Sequence, residues 1–161
     1  NIKVNSVEGE GSEFLFSLNL NKGKAVTSEE VQVEQGATST PHSVRILVAE
    51  DNRTNQMVIS AMLKKLGYQF TICNNGKEAL DTLKTETFNL VLMDCQMPVM
   101  DGFATTEAIR LQAQWKKLPI IALTAGVTVK EQKQCFDAGM SDFLSKPVVI
   151  DTLKVMLDKW H

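Results

Sequence analysis

Four apolar runs in this chain stop abruptly at side chains suited to phosphate chemistry. Val44 to Ala49 ends at Glu50-Asp51, and Leu90 to Met93 ends at Asp94. Ile120 to Leu123 ends at Thr124-Ala125, and Phe143-Leu144 is soon followed by Lys146-Pro147. If these ends converge, Glu50, Asp51 and Asp94 crowd three carboxylates together. Each pair at about 4 Å repels by roughly 1–4 kcal/mol, depending on the local dielectric. Such a cluster either takes up a proton or holds a cation. Oxygen-only donors favour Mg²⁺ over zinc. Lys146 adds a point charge of the kind that binds phosphate, and Thr124 adds a hydroxyl donor. A carboxylate nucleophile, a divalent cation, an ammonium and a hydroxyl are the parts needed to form an aspartyl phosphate. Singly, each residue has a plainer explanation. Glu50-Asp51 suits the start of a helix, Thr124 suits a strand, and Lys146 suits a solvated surface. The weight lies in all four falling at strand ends.

The elements that must position them follow from hydrophobic periodicity. Val44 to Ala49 is the first apolar run, broken only by Arg45. Asn52 is placed to cap a helix in which Val58, Ile59, Met62 and Leu66 recur at helical spacing, and Gly67 closes it. Gln69 to Cys73 is a second strand, ending in Asn74-Asn75 with nothing evident to contribute. Gly76 to Leu83 is a helix, with Ala79, Leu80 and Leu83 inward. Phe88 to Met93 is the third strand, and Gly102 to Gln114 a helix. Ile120 to Leu123 is the fourth strand, and Thr128 to Ala138 a helix ended by Gly139. Phe143-Leu144 lies in the fifth strand, and Val149 to Trp160 is the last helix. Alternation with short loops predicts a flavodoxin-like doubly wound α/β fold: a five-stranded parallel sheet in the order 2-1-3-4-5 with five helices. That order puts the crevice between the first and third strands and sends the four polar groups into one pocket.

The first 42 residues read differently. Phe14 to Leu20 alternates as a half-buried strand does, with Val4, Val7, Gly9 and Gly11 before it. Two short strands joined by a Gly turn cannot bury a core alone. Residues 23–42 are small, polar and acidic without periodicity, which predicts a flexible linker. The chain has 161 residues and a net charge of −2, so no basic field points to nucleic acid. Cys73, Cys95 and Cys135 form no Cys-x-x-Cys pair, which argues against a disulfide framework or zinc and for a reducing compartment. No apolar run approaches a membrane span. Residue 1 is Asn, so a piece of a longer chain is expected.

Residues 43–161 closely resemble the receiver domain of two-component response regulators. The resemblance rests on Val48-Ala49-Glu50-Asp51-Asn52, on Met93-Asp94-Cys95-Gln96-Met97-Pro98-Val99-Met100-Asp101-Gly102, on Ala122-Leu123-Thr124-Ala125 and on Phe143-Leu144-Ser145-Lys146-Pro147. It implies that Asp94 is the phospho-acceptor. It implies that Glu50, Asp51, Asp94 and the backbone carbonyl of Gln96 hold Mg²⁺. Thr124 would be the switch hydroxyl, Lys146 the phosphate-sensing lysine and Phe143 the switch aromatic. Phe143 lacks the hydroxyl of the Tyr often found there, so switching would use ring rotation alone. Gln96 and Gly126 match positions thought to tune phosphate lifetime. Glu8 to Phe16 resembles the last glycine-rich box and final strand of the ATP-binding domain of sensor histidine kinases. Domains are therefore expected at 1–22 (kinase tail), 23–42 (linker) and 43–161 (receiver), the arrangement of hybrid sensor histidine kinases. Asp51, Asn52, Asn55 and Gln56 also look hybrid-like. The kinase nucleotide box is absent, so this piece should not bind ATP.

The expected function is a phosphorelay. A phosphohistidine on the histidine kinase core of the same chain supplies Asp94, which passes the group to a histidine phosphotransfer domain. The piece is expected to be monomeric, outside the membrane and cytoplasmic, within a parent that is an inner-membrane sensor. Met57, Ala61 and Lys64 fall at i, i+4, i+7 on the first helix, off its apolar stripe, and form the expected partner surface. A lone surface Met is the plain alternative there. A stand-alone response regulator or a phosphorylation-independent docking module would carry the same residues. A haloacid-dehalogenase-type phosphatase would want a second Asp where Gln96 stands. A flavodoxin-like flavin binder would want a Ser/Thr-rich loop where Glu50-Asp51 would repel phosphate.

Overall fold

Leu90, Val91, Leu92 and Met93 are each 0% exposed, as a strand covered on both faces must be. The computed structural model describes residues 2–7, 11–16, 44–126 and 128–160. The chain divides into two units, residues 1–37 and 38–161. In the first, β1 (Ile2–Val7) pairs antiparallel with β2 (Gly11–Phe16), Ile2 opposite Phe16 and Val7 opposite Gly11. The strand expected over Phe14 to Leu20 therefore begins earlier, at Gly11. Residues 17–20 and the predicted linker at 23–42 lie outside the described residues.

The second unit alternates strand and helix. Its strands are β3 (Arg45–Ala49), β4 (Gln69–Cys73), β5 (Leu90–Asp94), β6 (Ile120–Thr124) and β7 (Asp142–Ser145). Its helices are α1 (Arg53–Lys65), α2 (Gly76–Thr85), α3 (Gly102–Leu111), α4 (Val129–Asp137) and α5 (Ile150–Trp160). All strands pair in parallel, in the order β4-β3-β5-β6-β7. Counted from β3 this is 2-1-3-4-5, the expected flavodoxin-like arrangement.

Side chains alternate across each strand, and the core divides accordingly. Leu47, Val91, Met93, Ile120 and Ala122 join Ala79 and Leu83 of α2, Ile109 of α3 and Cys135 of α4. Ile46, Val48, Leu90, Leu92, Ile121 and Leu123 join Ile59 and Leu63 of α1 and Leu153 and Leu157 of α5. Each fully buried Leu or Ile is worth about 1.5–3 kcal/mol, so a one-residue slip of β5 would be costly on both faces. The register that buries Leu92 also fixes Asp94 at the end of the strand.

Helix starts are set by side chains that accept orphan backbone N–H groups. Asn52 accepts from Thr54 N at 2.9 Å and Asn55 N at 3.3 Å. Asn75 accepts from Glu78 N at 2.9 Å, and Asp101 from Ala104 N at 2.8 Å. Thr128 and Glu131 form a reciprocal capping box on α4. All four caps lie in loops leaving the carboxyl ends of strands.

The structure corrects several sequence expectations. Val58 is not on the buried stripe of α1: it is 44% exposed, whereas Ile59 and Leu63 are buried. Each helical residue turns about 100°, so Val58 falls at the edge of the stripe, turned away from the buried Ile59 and Leu63. Helix α3 stops at Leu111 rather than Gln114. Gln112 turns extended, a 3₁₀ turn follows at Ala113–Trp115, and Arg110 Nη1 donates to Trp115 O at 3.0 Å. Helix α2 runs on to Thr85.

Candidate functional site

The carboxyl ends of the strands are locked together by backbone bonds that continue past the ladders. Glu50 N donates to Cys73 O at 3.1 Å, Cys95 N to Leu123 O at 3.2 Å and Lys146 N to Thr124 O at 2.7 Å. Gly102 then brings the loop after β5 back against its origin. Its N–H donates to Cys95 O at 3.2 Å, and a Cβ there would lie 2.1 Å from Asp94 O. Only glycine admits that approach, which is why the loop from Met97 to Asp101 can turn so closely around Asp94.

These constraints bring Glu50, Asp51, Asp94, Thr124, Gln96 and Lys146 to one pocket of about 280 Å³. A larger cleft of about 540 Å³ lies at the amino ends of β5 and β6, near Phe88, Trp115 and Pro119. Its one carboxylate, Glu86, is paired with Arg45. The smaller pocket is the one that gathers Glu50, Asp51, Asp94, Thr124 and Lys146. Lys146 Nζ stands 2.6 Å from Asp94 Oδ2 and 2.8 Å from Glu50 Oε2. Gln96 N donates to Asp94 Oδ1 at 3.2 Å. Thr124 turns its hydroxyl to its own loop, donating to Gly126 O at 2.9 Å and accepting from Gly126 N at 3.2 Å. Phe143 packs edge-to-face on Phe136 of α4, with ring centres 6.2 Å apart.

Burial pushes the Asp94 carboxyl above its ordinary value. Lys146 and the Gln96 N–H pull it back in part, and Glu50 adds to the rise. Burial acts to lower Lys146, but its bonds to Asp94 and Glu50 outweigh that and raise it. The two upward shifts agree physically, because Lys146 faces two carboxylates while Asp94 faces one ammonium. The neighbouring thiols are different. Cys95 Sγ lies 4.0 Å from Cys135 Sγ, and burial pushes the Cys95 thiol well up and raises Cys135 as well, so Cys95 stays neutral beside Asp94.

The residues fit a divalent cation. Glu50, Asp51 and Asp94 each offer a carboxylate oxygen, and these oxygens lie within 4.8 Å of one another. Glu50 is 0% exposed, and its Oε2 accepts no aligned hydrogen bond although Lys146 is near. A fully buried carboxylate oxygen held against an ammonium, with two more carboxylates close by, is a hard-cation donor set.

Sequence reasoning missed a polar network behind the pocket. Asn55 Nδ2 donates to Glu50 Oε1 at 2.9 Å. Gln56 Nε2 donates to Glu50 O at 2.6 Å and to Asn74 Oδ1 at 3.0 Å. Asn74 therefore has a structural part after all, because it also donates from N and Nδ2 to Glu78 Oε2, both at 2.9 Å. The available signal was amide residues one turn into a helix that starts directly after the acidic pair. Of the expected partner surface, Met57 is 67% exposed, and Ala61 and Lys64 are exposed too. They line a shallow depression of about 390 Å³ with Gln56, Ser60 and Ile72.

Comparison with known proteins gives concordant matches. Residues 46–158 match the response regulator receiver domain. The chain is 42% identical over 120 residues to hybrid signal transduction histidine kinase A of Dictyostelium discoideum, covering 72% of this chain and 6% of that protein. It thus spans a small part of the curated relatives it matches. Among solved structures, it resembles the receiver domain of sensor histidine kinase PA1611 from Pseudomonas aeruginosa, which has a magnesium ion coordinated in its active site cleft. That match has a TM-score of 0.69 and 41% identity, and covers 73% of this chain and 96% of the other. It also resembles the receiver domain of the Saccharomyces cerevisiae response regulator Ssk1, co-crystallised with the histidine phosphotransfer signaling protein Ypd1. There the TM-score is 0.69 and the identity 28%, covering 73% of this chain and 88% of the other.

Proposed function

The chain belongs to the response regulator receiver domain family, and from that premise we propose that it is a phosphorelay receiver in which Asp94 carries the phosphoryl group. One observation supports this most: Asp94 Oδ2, at the end of β5, is paired with Lys146 Nζ at 2.6 Å in the pocket that also holds Glu50 and Asp51. An Asp94 oxygen attacks the phosphorus of a phosphohistidine. The new O–P bond forms as the N–P bond breaks, and the imidazole leaves with the bonding pair and takes up a proton. Lys146 favours the ionised form of Asp94 beforehand and faces the phosphoryl oxygens afterwards. Glu50, Asp51, Asp94 and the Gln96 carbonyl would hold Mg²⁺, which when bound supplies positive charge against those oxygens. Thr124 leaves Gly126 for a phosphoryl oxygen, and Phe143 follows by rotating its ring.

The next acceptor is a histidine phosphotransfer domain, docked on the outward face of α1 at Met57, Ala61 and Lys64. The complex of the Ssk1 receiver with Ypd1 supports such a partner. The parent is a hybrid sensor histidine kinase whose own core supplies the phosphoryl group. Residues 1–22 are then the tail of its ATP-binding domain, 23–42 its linker and 43–161 its receiver. The similarity to a hybrid kinase and the antiparallel pair β1–β2 support that arrangement. The receiver works as a monomer in the cytoplasm. Among the described residues no helix is long and apolar enough to cross a membrane.

Transfer tests this directly. The chain, charged by a small phosphoryl donor with Mg²⁺, should lose its label to a histidine phosphotransfer domain. Met57→Glu should slow that loss at least about tenfold, the cost of burying one unpaired charge in a docking face. Unchanged transfer by Met57→Glu removes this surface, and a chain that takes up no label removes the reading itself.

A further inference from the structure

Glu50 divides its two oxygens between different tasks. Oε1 accepts from Asn55 Nδ2 at 2.9 Å and from Asn52 N at 3.2 Å. Oε2 accepts no aligned hydrogen bond and lies 2.8 Å from the Lys146 ammonium. A carboxylate offers about four lone-pair directions. In a fully buried site, an oxygen bound by two neutral N–H donors is fixed in place, and its partner carries the outward-facing charge. We propose that Asn55 is a positioning residue that fixes Glu50 with Oε2 towards the cation. The proposal rests on the reading of this pocket as a cation site.

The placement of α1 supports this. The helix starts two residues after Asp51, with Asn52 as its cap, so Asn55 sits in the first turn and reaches back over the end of β3. The next residue does the same for the backbone, since Gln56 Nε2 holds Glu50 O at 2.6 Å and ties it to Asn74. Two consecutive side chains thus clamp one residue, at its carboxylate and at its carbonyl. An amide suits the role because it donates without adding charge. An aspartate there would set a like charge 2.9 Å from Oε1 and turn Glu50 away. Groups that orient a ligand in this way usually change metal affinity by 10–100-fold when removed, as a rough range.

The test compares the 161-residue chain with Asn55→Leu, which keeps the branched shape at Cγ and loses the donor. Mg²⁺ alone is the probe, titrated calorimetrically, with melting temperatures taken in chelator and in saturating Mg²⁺. The Mg²⁺ dissociation constant should rise at least about tenfold, and the increase in melting temperature on adding Mg²⁺ should shrink. Phosphoryl uptake at Asp94 should recover at saturating Mg²⁺. A merely structural role would lower both melting temperatures alike and leave the dissociation constant within twofold of wild type, overturning the proposal. Asn55→Ser, which keeps a small polar group in the first helical turn, gives the same comparison if the Leu variant does not fold. A wild-type chain that binds no Mg²⁺ would instead overturn the reading of the pocket, and this inference with it.

Discussion

Lys146 Nζ stands 2.6 Å from Asp94 Oδ2, and the same ammonium lies 2.8 Å from Glu50 Oε2. One cation therefore bridges two buried carboxylates, one just past β3 and one at the end of β5. The bridge engages carboxylates that a divalent ion would also draw on. Lys146→Met should cost the chelator-treated protein roughly 2–3 kcal/mol. That is below the usual cost of breaking a buried pair, because Asp94 can take up a proton. The gain in melting temperature from Mg²⁺ should be larger than in wild type, while phosphoryl uptake should slow. Equal stability in chelator would contradict the bridging role.

Val99 has φ 69° and is 79% exposed, in the loop that carries the chain from Asp94 to α3. A β-branched residue in the left-handed region is strained by about 1–3 kcal/mol. Val99→Gly should therefore raise stability by about 1 kcal/mol, after the entropy that glycine adds to the unfolded chain. Chemical denaturation measures it, and a loss of stability would show that the Val99 side chain contributes packing that outweighs the strain.

Asp142 at the start of β7 accepts from Lys159 Nζ at 2.6 Å and Trp160 Nε1 at 3.0 Å, tying the last turn of α5 to the sheet. Burial acts to raise its carboxyl, but these bonds and the Phe143 N–H outweigh it and lower it. A lowered folded value means the stabilisation is complete above the ordinary aspartate value, about 3.9. It is lost as pH falls through the folded value. Asp142→Asn should cost about 1 kcal/mol at neutral pH, and the gap to wild type should close under acid. A gap that stays constant with pH would contradict the linkage.

The pocket was legible because strand ends are legible. An apolar run that stops at Glu50, Asp94 or Thr124 marks both the strand boundary and the residue at its carboxyl end, and the alternation of elements fixes the sheet order. Side-chain direction was less so. Val58 and Ile59 are adjacent and equally apolar, yet about 100° of helical turn exposes the first and buries the second. The clamp of Asn55 and Gln56 on Glu50 was hidden for a related reason. It depends on rotamers reaching from a helix to a strand end, and no periodicity records that. Asn74 looked idle because its partners, Gln56 and Glu78, come from two different helices. The end of α3 depended on Arg110 reaching Trp115 O and Gly139 O, a tertiary contact that stops a locally good helix pattern.

Covalent phosphorylation of Asp94 is measured by labelling. The chain is incubated with Mg²⁺ and a radiolabelled small phosphoryl donor, beside Asp94→Asn and a sample in chelator. The wild-type chain should take up one phosphoryl group, recovered on the peptide spanning Phe88 to Gly102. Asp94→Asn should take up none, and neither should the sample in chelator. Labelling that survives Asp94→Asn at the wild-type rate would contradict phosphorylation at Asp94.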